Sequence, residues 1–355
     1  MSVNFWIGDD YLKVSIVGAT GYGGLELIRL LQNHPHLEIA SLHTSSRFGR
    51  QIHEDSPHLL HMEYTLEEIV PEDIAKKADI VFLATPSGIS VQLAPEFFKL
   101  GVKVIDLSGD LRLKNPGNYE RWYKHSAAPS EILQEAVYGL SEWNASRIKH
   151  AKIIANPGCY PTATLLGLAP LYTEKWATGK DVIVDAKSGV SGAGKSPSAG
   201  THYSEINENF KIYKVHTHQH IPEIEQQLGL WNEESQPISF STHLVPMTRG
   251  IMATMYVKLH RHTSTEELID LYNTVYENHP FVRVQPMDAF PCTKQVFGSN
   301  FCDIGIAFDE RTNKATIVSV IDNLMKGAAG QAVQNANIML GAEESAGLLN
   351  IPLYP

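Results

Sequence analysis

Cys159 is the residue with the most chemistry to offer. It stands in Ala155-Asn-Pro-Gly-Cys-Tyr-Pro161, after an apolar run, Ala151 to Ala155, and just ahead of a helical stretch, Thr162 to Ala169. A thiol at a helix start has a lowered pKa and reacts as the thiolate. Cys292 and Cys302 lack that setting and read as buried small hydrophobes. A second group lies in Val215-His-Thr-His-Gln-His-Ile-Pro-Glu223. In an extended segment, His216, His218 and His220 would share one face. Three readings stand for them. One is a metal site, although no cysteine or carboxylate sits at a recognisable ligand spacing, and no metal is assigned. Another is an acid/base pool serving Cys159, with Glu223 accepting an imidazole N–H to orient it. The third is a solvated polar edge. Two guanidinium groups could bind phosphate or carboxylate bidentately: Arg112, in Asp106-Leu-Ser-Gly-Asp-Leu-Arg112, and Arg249, in Pro246-Met-Thr-Arg-Gly250. A surface ion pair is the competing reading for each.

These residues need a scaffold, and the first 150 residues describe one. Lys13 to Val17 reads as a strand, Gly18-Ala-Thr-Gly-Tyr-Gly-Gly24 as a turn, Leu25 to Leu31 as a helix and Leu37 to His43 as a second strand. Gly18, Gly21 and Gly24 form G-x-x-G-x-x-G inside this βαβ unit. Such a turn lets the backbone approach a pyrophosphate, which the helix N-terminus then holds. An acid at the end of the second strand would select the ribose 2′-OH of NAD. Here the residues are Thr44-Ser-Ser-Arg47. Hydroxyls and a guanidinium suit a 2′-phosphate, so NADP is the expected cofactor. Further strands at Ile80 to Ala84 and Val102 to Leu107 complete the pattern of a doubly wound, Rossmann-type parallel sheet.

After Cys159 the texture changes. Val182 to Ala186, Ile238 to Val245, Met252 to Leu259, Asn300 to Phe308 and Lys314 to Ile321 read as longer, partly alternating strands. They predict a second, α+β domain with a mixed or antiparallel sheet. The apolar helix Ala328 to Leu340 is long enough to pack back on the first domain. The expected division is residues 1–158 plus 324–355 for dinucleotide binding, and 159–323 for catalysis and oligomerisation. The chain has 355 residues and a net charge of −10, from 29 basic and 39 acidic residues. That argues against a nucleic-acid partner. Three scattered cysteines are no disulfide framework and fit a reducing compartment. Met1 to Lys13 shows no secretory or organelle signal. No run reaches the roughly 18 apolar residues that span a bilayer. The expectation is a cytoplasmic protein without a membrane partner.

A nicotinamide cofactor beside a thiolate points to aldehyde-level chemistry. The thiolate attacks an activated acyl group, hydride reduces the thioester, and the thiohemiacetal collapses to an aldehyde. With those residues in view, the chain resembles the N-acetyl-gamma-glutamyl-phosphate reductases, within the wider semialdehyde dehydrogenase group. The matching segments begin with Gly18-Ala-Thr-Gly-Tyr-Gly-Gly-Leu-Glu26, Asp106 to Arg112, and Ala155 to Thr162. They continue with Lys187-Ser-Gly-Val-Ser-Gly-Ala-Gly194, His218-Gln-His-Ile-Pro-Glu-Ile-Glu225, His243 to Gly250, and Asp322-Asn-Leu-Met-Lys-Gly-Ala-Ala-Gly-Gln331. They run in order over nearly the whole chain.

The resemblance implies that Cys159 is the nucleophile, and that His218, His220 and Glu223 complete the catalytic group, with the proton-transferring histidine left open. It implies substrate contacts from Arg112, Asn156, Ser188 and Arg249. It places the cofactor at Gly18, Thr20, Gly21, Tyr22, Gly23, Gly24, Ser46, Arg47, Thr85, Pro86, Ser191, Gly192, Asn323 and Gly327. The implied reaction is NADPH-dependent reduction of the small-molecule acyl phosphate N-acetyl-L-glutamyl 5-phosphate to the 5-semialdehyde, releasing phosphate, in arginine biosynthesis. A homodimer or homotetramer is implied as well. Residues 1–12 match nothing, and Lys195 stands where many relatives carry arginine. A substrate one methylene longer, N-acetyl-aminoadipyl phosphate, differs by only about 1–3 kcal/mol of pocket discrimination. Aspartate semialdehyde dehydrogenase shares the implied architecture, but the His218 to Glu223 pattern counts against it. A non-catalytic redox sensor would have no use for Arg112 and His218 together.

Overall fold

The computed structural model describes residues 11–177 and 180–354. The first ten residues of the segment read for a targeting signal lie outside the described residues. The described chain divides into two units. The residues up to Pro157 join Ala328–Leu349, and Gly158–Gly327 join those from Asn350 onward. The returning segment therefore begins at Ala328, a few residues later than the expected 324. The last residues belong with the second unit, where Leu353 N donates to Phe297 O at 2.8 Å.

The first unit is a seven-stranded parallel sheet in the order β3-β2-β1-β4-β5-β7-β6. Its strands are β1 (Leu12–Val17), β2 (Leu37–His43), β3 (Leu66–Glu67), β4 (Ile80–Leu83), β5 (Lys103–Asp106), β6 (Ala136–Tyr138) and β7 (Ile153–Ala155). Val14, Ile16, Val17 and all of β4 are buried, as expected for a sheet covered on both faces. Register aligns the strand ends: Val17 with His43 and Leu83, Leu83 with Asp106, and Asp106 with Ala155. The glycine turn, Thr44–Arg47, the Thr85 loop, the Arg112 loop and Asn156 thus leave one edge of the sheet. Strand order reverses at β1/β4, the crevice where ligands bind in such folds.

The Gly330–Leu340 helix completes this unit and is buried on nearly every side. Several of its polar side chains are hydrogen-bonded inside. Gln331 Nε2 and Asn335 Nδ2 donate to Gly139 O at 2.9 and 2.8 Å, and Gln334 Nε2 donates to Glu142 Oε1 at 3.1 Å. The expected single helix from Ala328 is preceded by a π-helical turn, Met325–Ala329.

The second unit carries a seven-stranded mixed sheet in the order β12-β13-β14-β11-β8-β10-β9. Its strands are β8 (Ile183–Ser188), β9 (Lys211–Tyr213), β10 (Ser239–Leu244), β11 (Ile251–Lys258), β12 (Val282–Val284), β13 (Cys302–Asp309) and β14 (Lys314–Ile321). The β8/β10 and β12/β13 pairs are parallel and the others antiparallel. In β11, Ile251, Ala253, Met255 and Val257 alternate with less buried residues. They face the Cys159–Thr173 helix, where a Cβ on Gly167 would fall 2.3 Å from Met255 Cε. That helix is buried from Tyr160 through Tyr172.

Candidate active site

In the first unit the glycine turn is shaped by contacts that side chains would break. Gly18 has φ +87°, and a Cβ there would sit 2.4 Å from Ala84 O. A Cβ on Gly24 would sit 2.4 Å from Gly18 O and 2.7 Å from Ala19 Cα. The first position therefore lets β1 turn beside β4, and the last seats the Tyr22–Leu31 helix on the turn. Gly21 and Gly23 meet nothing closer than 3.6 and 3.9 Å. The helix start, with exposed Tyr22, half-buried Thr20 and no acid in its first turn, suits an anion.

Beyond β2, Thr44 is buried, and Ser45, Ser46 and Arg47 are exposed. Arg47 pairs with the buried carboxylate Asp55, and Arg50 pairs with Glu54 at 3.0 Å and with Asp55 at 3.6 Å. Arg50 escaped the sequence reading, although it follows Arg47 by one turn of chain. Thr44 to Arg47 offer hydroxyls and a guanidinium and no acid of their own, and the nearby carboxylates Glu54 and Asp55 are taken up by Arg50 and Arg47, a set that fits a 2′-phosphorylated dinucleotide. Thr85 Oγ1 lies 3.1 Å from Ser90 Oγ, and Pro86 is exposed.

Arg112 is buried, with Nε donating to Asn156 O at 2.7 Å and Nη2 to Leu107 O at 3.1 Å. Both acceptors are neutral carbonyls, so these bonds hold the guanidinium without cancelling its charge. The Asn156 side chain donates to Ala328 O and accepts from Asn335 Nδ2, each at 3.0 Å. It braces the chain ahead of Cys159.

In the second unit Cys159 is the first residue of its helix, three residues ahead of the expected Thr162 start, and is partly exposed. Gly158 caps the helix and donates its N–H to Glu223 Oε1 at 2.8 Å. Glu223 is fully buried in the first turn of the Ile221–Trp231 helix, so its carboxylate ties the two helix starts together. Gly327 approaches the nucleophile so closely that a Cβ would lie 2.8 Å from Cys159 Cβ.

The histidine segment is not extended. Thr217 N donates to Lys214 O and Ile221 N to His218 O, which closes successive turns. His216 takes φ +56° and is exposed, while His218 and His220 are buried with ring centroids 4.6 Å apart. The pair meets through turn geometry, not through strand alternation. His220 N donates to His218 Nδ1 at 3.2 Å, so a neutral His218 carries its proton on Nε2. Tyr160, Tyr213 and Phe240 stand edge-on to the His218 ring at 5.4, 5.8 and 6.0 Å. Burial, aided by the Lys214 charge, pushes the His218 pKa down to about 3. The sequence reading missed these aromatic walls, of which Tyr160, beside Cys159, and Tyr213, five residues before His218, have a local signal and Phe240 has none.

The other residues expected in this unit also gather. Ser188 is buried and donates to Gly189 O at 2.9 Å. Ser191 Oγ accepts from Asn323 Nδ2 at 2.9 Å, and Asn323 Oδ1 accepts from Gly250 N at 2.7 Å. Gly192 is exposed, and a Cβ there would lie 3.1 Å from Ser188 Oγ. Arg249, partly exposed, pairs with Asp322 at 3.4 Å. Cys302 is buried, but Cys292 is exposed, against expectation, because it caps a short 3-10 turn at the surface. Among the described residues no three His, Cys, Asp or Glu groups are arranged to hold a metal. Among them, too, no helix is long and apolar enough to cross a membrane.

Comparison with known proteins adds relatives to this geometry. The semialdehyde dehydrogenase NAD binding domain matches residues 13–151, and the semialdehyde dehydrogenase dimerisation domain matches residues 159–323. N-acetyl-gamma-glutamyl-phosphate reductase of Bacillus cytotoxicus is 57% identical over 97% of this chain and 100% of its own. The enzyme of that name from a Geobacillus strain is 58% identical over the same shares. Among solved structures, aspartate semialdehyde dehydrogenase II from Vibrio cholerae matches with a TM-score of 0.72 at 20% identity, over 94% of this chain and 99% of that one. The Candida albicans aspartate semialdehyde dehydrogenase with NADP matches with a TM-score of 0.65 at 18% identity, over 93% and 99%. At such identities these structures speak for the fold.

Proposed function

The chain belongs to the N-acetyl-gamma-glutamyl-phosphate reductases of the semialdehyde dehydrogenase family, and from that premise we propose that it reduces N-acetyl-L-glutamyl 5-phosphate to N-acetyl-L-glutamate 5-semialdehyde, releasing phosphate, in arginine biosynthesis. The observation that carries the reading is the Cys159 helix start, tied through Gly158 to Glu223 and adjoining, through Tyr160, the buried pair His218 and His220. The Cys159 thiolate attacks the acyl carbon, the C–O bond to phosphate breaks, and a thioester forms. NADPH, when bound, supplies the hydride that reduces this carbonyl carbon. The resulting thiohemiacetal oxyanion collapses, which returns the thiolate and leaves the aldehyde.

His218 acts in this scheme as a neutral donor. Its Nε2–H stabilises negative charge on the substrate oxygen in both tetrahedral states, a contribution of about 3–4 kcal/mol for a donor of this kind. Arg112 holds the phosphate, and Arg249 the substrate carboxylate. Ser46 and Arg47 hold the 2′-phosphate of the cofactor, and the glycine turn its pyrophosphate. Ser191, Gly192, Asn323 and Gly327 shape the nicotinamide side, with Asn156 and Ser188 as supports. The working form is a cytoplasmic homodimer or homotetramer, in keeping with the dimerisation domain match.

The test is the reverse reaction, NADP reduction with N-acetylglutamate 5-semialdehyde, followed at the nicotinamide absorbance. Turnover that depends on added phosphate is the expected result. Absence of turnover, with turnover on the aminoadipate homologue instead, would reassign the substrate.

A further inference from the structure

We propose that Asp110 is a positioning residue that makes the Thr85–Val91 loop and the Arg112 loop of the first unit one rigid piece, so that cofactor binding and phosphate binding depend on the same carboxylate. Asp110 is fully buried and touches neither ligand in the scheme above. Its carboxylate accepts four converging bonds. Gly88 N donates to both oxygens at 2.9 Å, Val91 N to Oδ2 at 3.3 Å, and Tyr119 O–H to Oδ1 at 2.7 Å. Gly88 has φ +92°, so the loop turns sharply where the carboxylate grips it. Val91 lies in the first turn of the ten-residue Ser90–Lys99 helix, whose N-terminus favours a negative charge.

On the other side, Asp110 N donates to Ser108 Oγ at 3.1 Å, and Ser108 Oγ donates to Asp106 Oδ1 at 2.6 Å at the end of β5. Arg112 follows two residues later, its backbone N bonded to Gly109 O at 3.5 Å. A Cβ on Gly109 would lie 3.2 Å from Arg112 Nη1, so the loop's path and the guanidinium's place are set together. The carboxylate is thus the junction between a loop assigned to cofactor, through Thr85 and Pro86, and the arginine assigned to phosphate.

The inference rests on those two assignments, and its test does not require turnover. Dissociation constants for NADP and for inorganic phosphate are measured separately on wild type, Asp110→Asn and Tyr119→Phe. An amide at 110 keeps one acceptor oxygen and turns a donor toward Gly88 and Val91. Both dissociation constants should rise together, by about fivefold or more. Tyr119→Phe, which removes one of the four bonds, should raise both by a smaller common factor, and decides the matter if the first variant does not fold. In the reverse reaction the KM values for NADP and phosphate should rise while kcat per active site stays within about twofold. Weakening of one ligand alone, or a loss of kcat and thermal midpoint with both constants unchanged, would overturn the proposal.

Discussion

Burial among Tyr160, Tyr213 and Phe240 takes the His218 pKa far below the ordinary imidazole range, which favours the neutral ring near pH 7. A donor role follows, and it can be separated from an acid/base role. His218→Gln keeps an N–H near the Nε2 position and should cost about tenfold in kcat, while His218→Ala should cost about 10²–10³. The acid limb of the kcat profile should be the same in wild type and His218→Gln. A limb that disappears in the variant would make His218 the titrating group instead. Arg47 belongs to the same scale. Arg47→Ala should reduce the preference for NADPH over NADH in kcat/KM by about tenfold or more. An unchanged ratio would pass the 2′-phosphate to Arg50. Cys159 had a local signal, a thiol beside a strand end, whereas the spacing of the histidines pointed to an extended segment and the pair meets through a turn instead. Phe240 had none, since the separate strand β10 supplies it, while Tyr213 stands only five residues before His218 and was passed over. The exposure of Cys292 likewise depends on packing that no short window contains.

Elements set the distances between such residues. The π-helical turn Met325–Ala329 delivers Gly327 against Cys159, and the missing side chain is what lets it come so near. Gly327→Ala should therefore displace the nucleophile, lowering kcat by about 10²-fold. Normal kcat in that variant would mean the turn yields freely. Five of the seven strands of the parallel sheet were readable to within one or two residues because their apolar runs end in turn-forming groups, whereas the short β3 and β6 were not expected at all. Leu37–His43 and Lys314–Ile321 matched their expected limits. Helices were harder. Gly23 and Gly24 disguise the first turn of the Tyr22–Leu31 helix. Pro161 and Pro170 disguise the extent of the Cys159–Thr173 helix, whose burial on all sides removes any amphipathic period. The π-turn has no sequence signature.

At the scale of the whole molecule, buried histidines link folding to pH. His34 accepts from Leu37 N and lies 3.0 Å from Ala346 O, and burial pushes its pKa down to about 4. The unfolded chain binds a proton there below about pH 6.5, and the folded protein does not until about pH 4. The stability it favours is thus complete above 6.5 and is lost as pH falls through that window. At pH 5 the loss from this group is on the order of 2 kcal/mol. The fall in thermal midpoint between pH 7.5 and 5 should accordingly be smaller in His34→Gln than in wild type. An equal fall would show that His34 titrates alike in both states. The contact that His34 makes is with the segment that returns to the first unit, and that return has a consequence for biosynthesis. The parallel sheet is begun first, yet the helix carrying Gln331, Gln334 and Asn335 is translated only after the whole of residues 158–327. At ribosomal speeds of about 5–20 residues per second, the nascent sheet waits roughly 10–30 s with that flank bare. Premature termination anywhere in that interval would yield an aggregation-prone fragment and a client for chaperones, not a free-standing nucleotide-binding module.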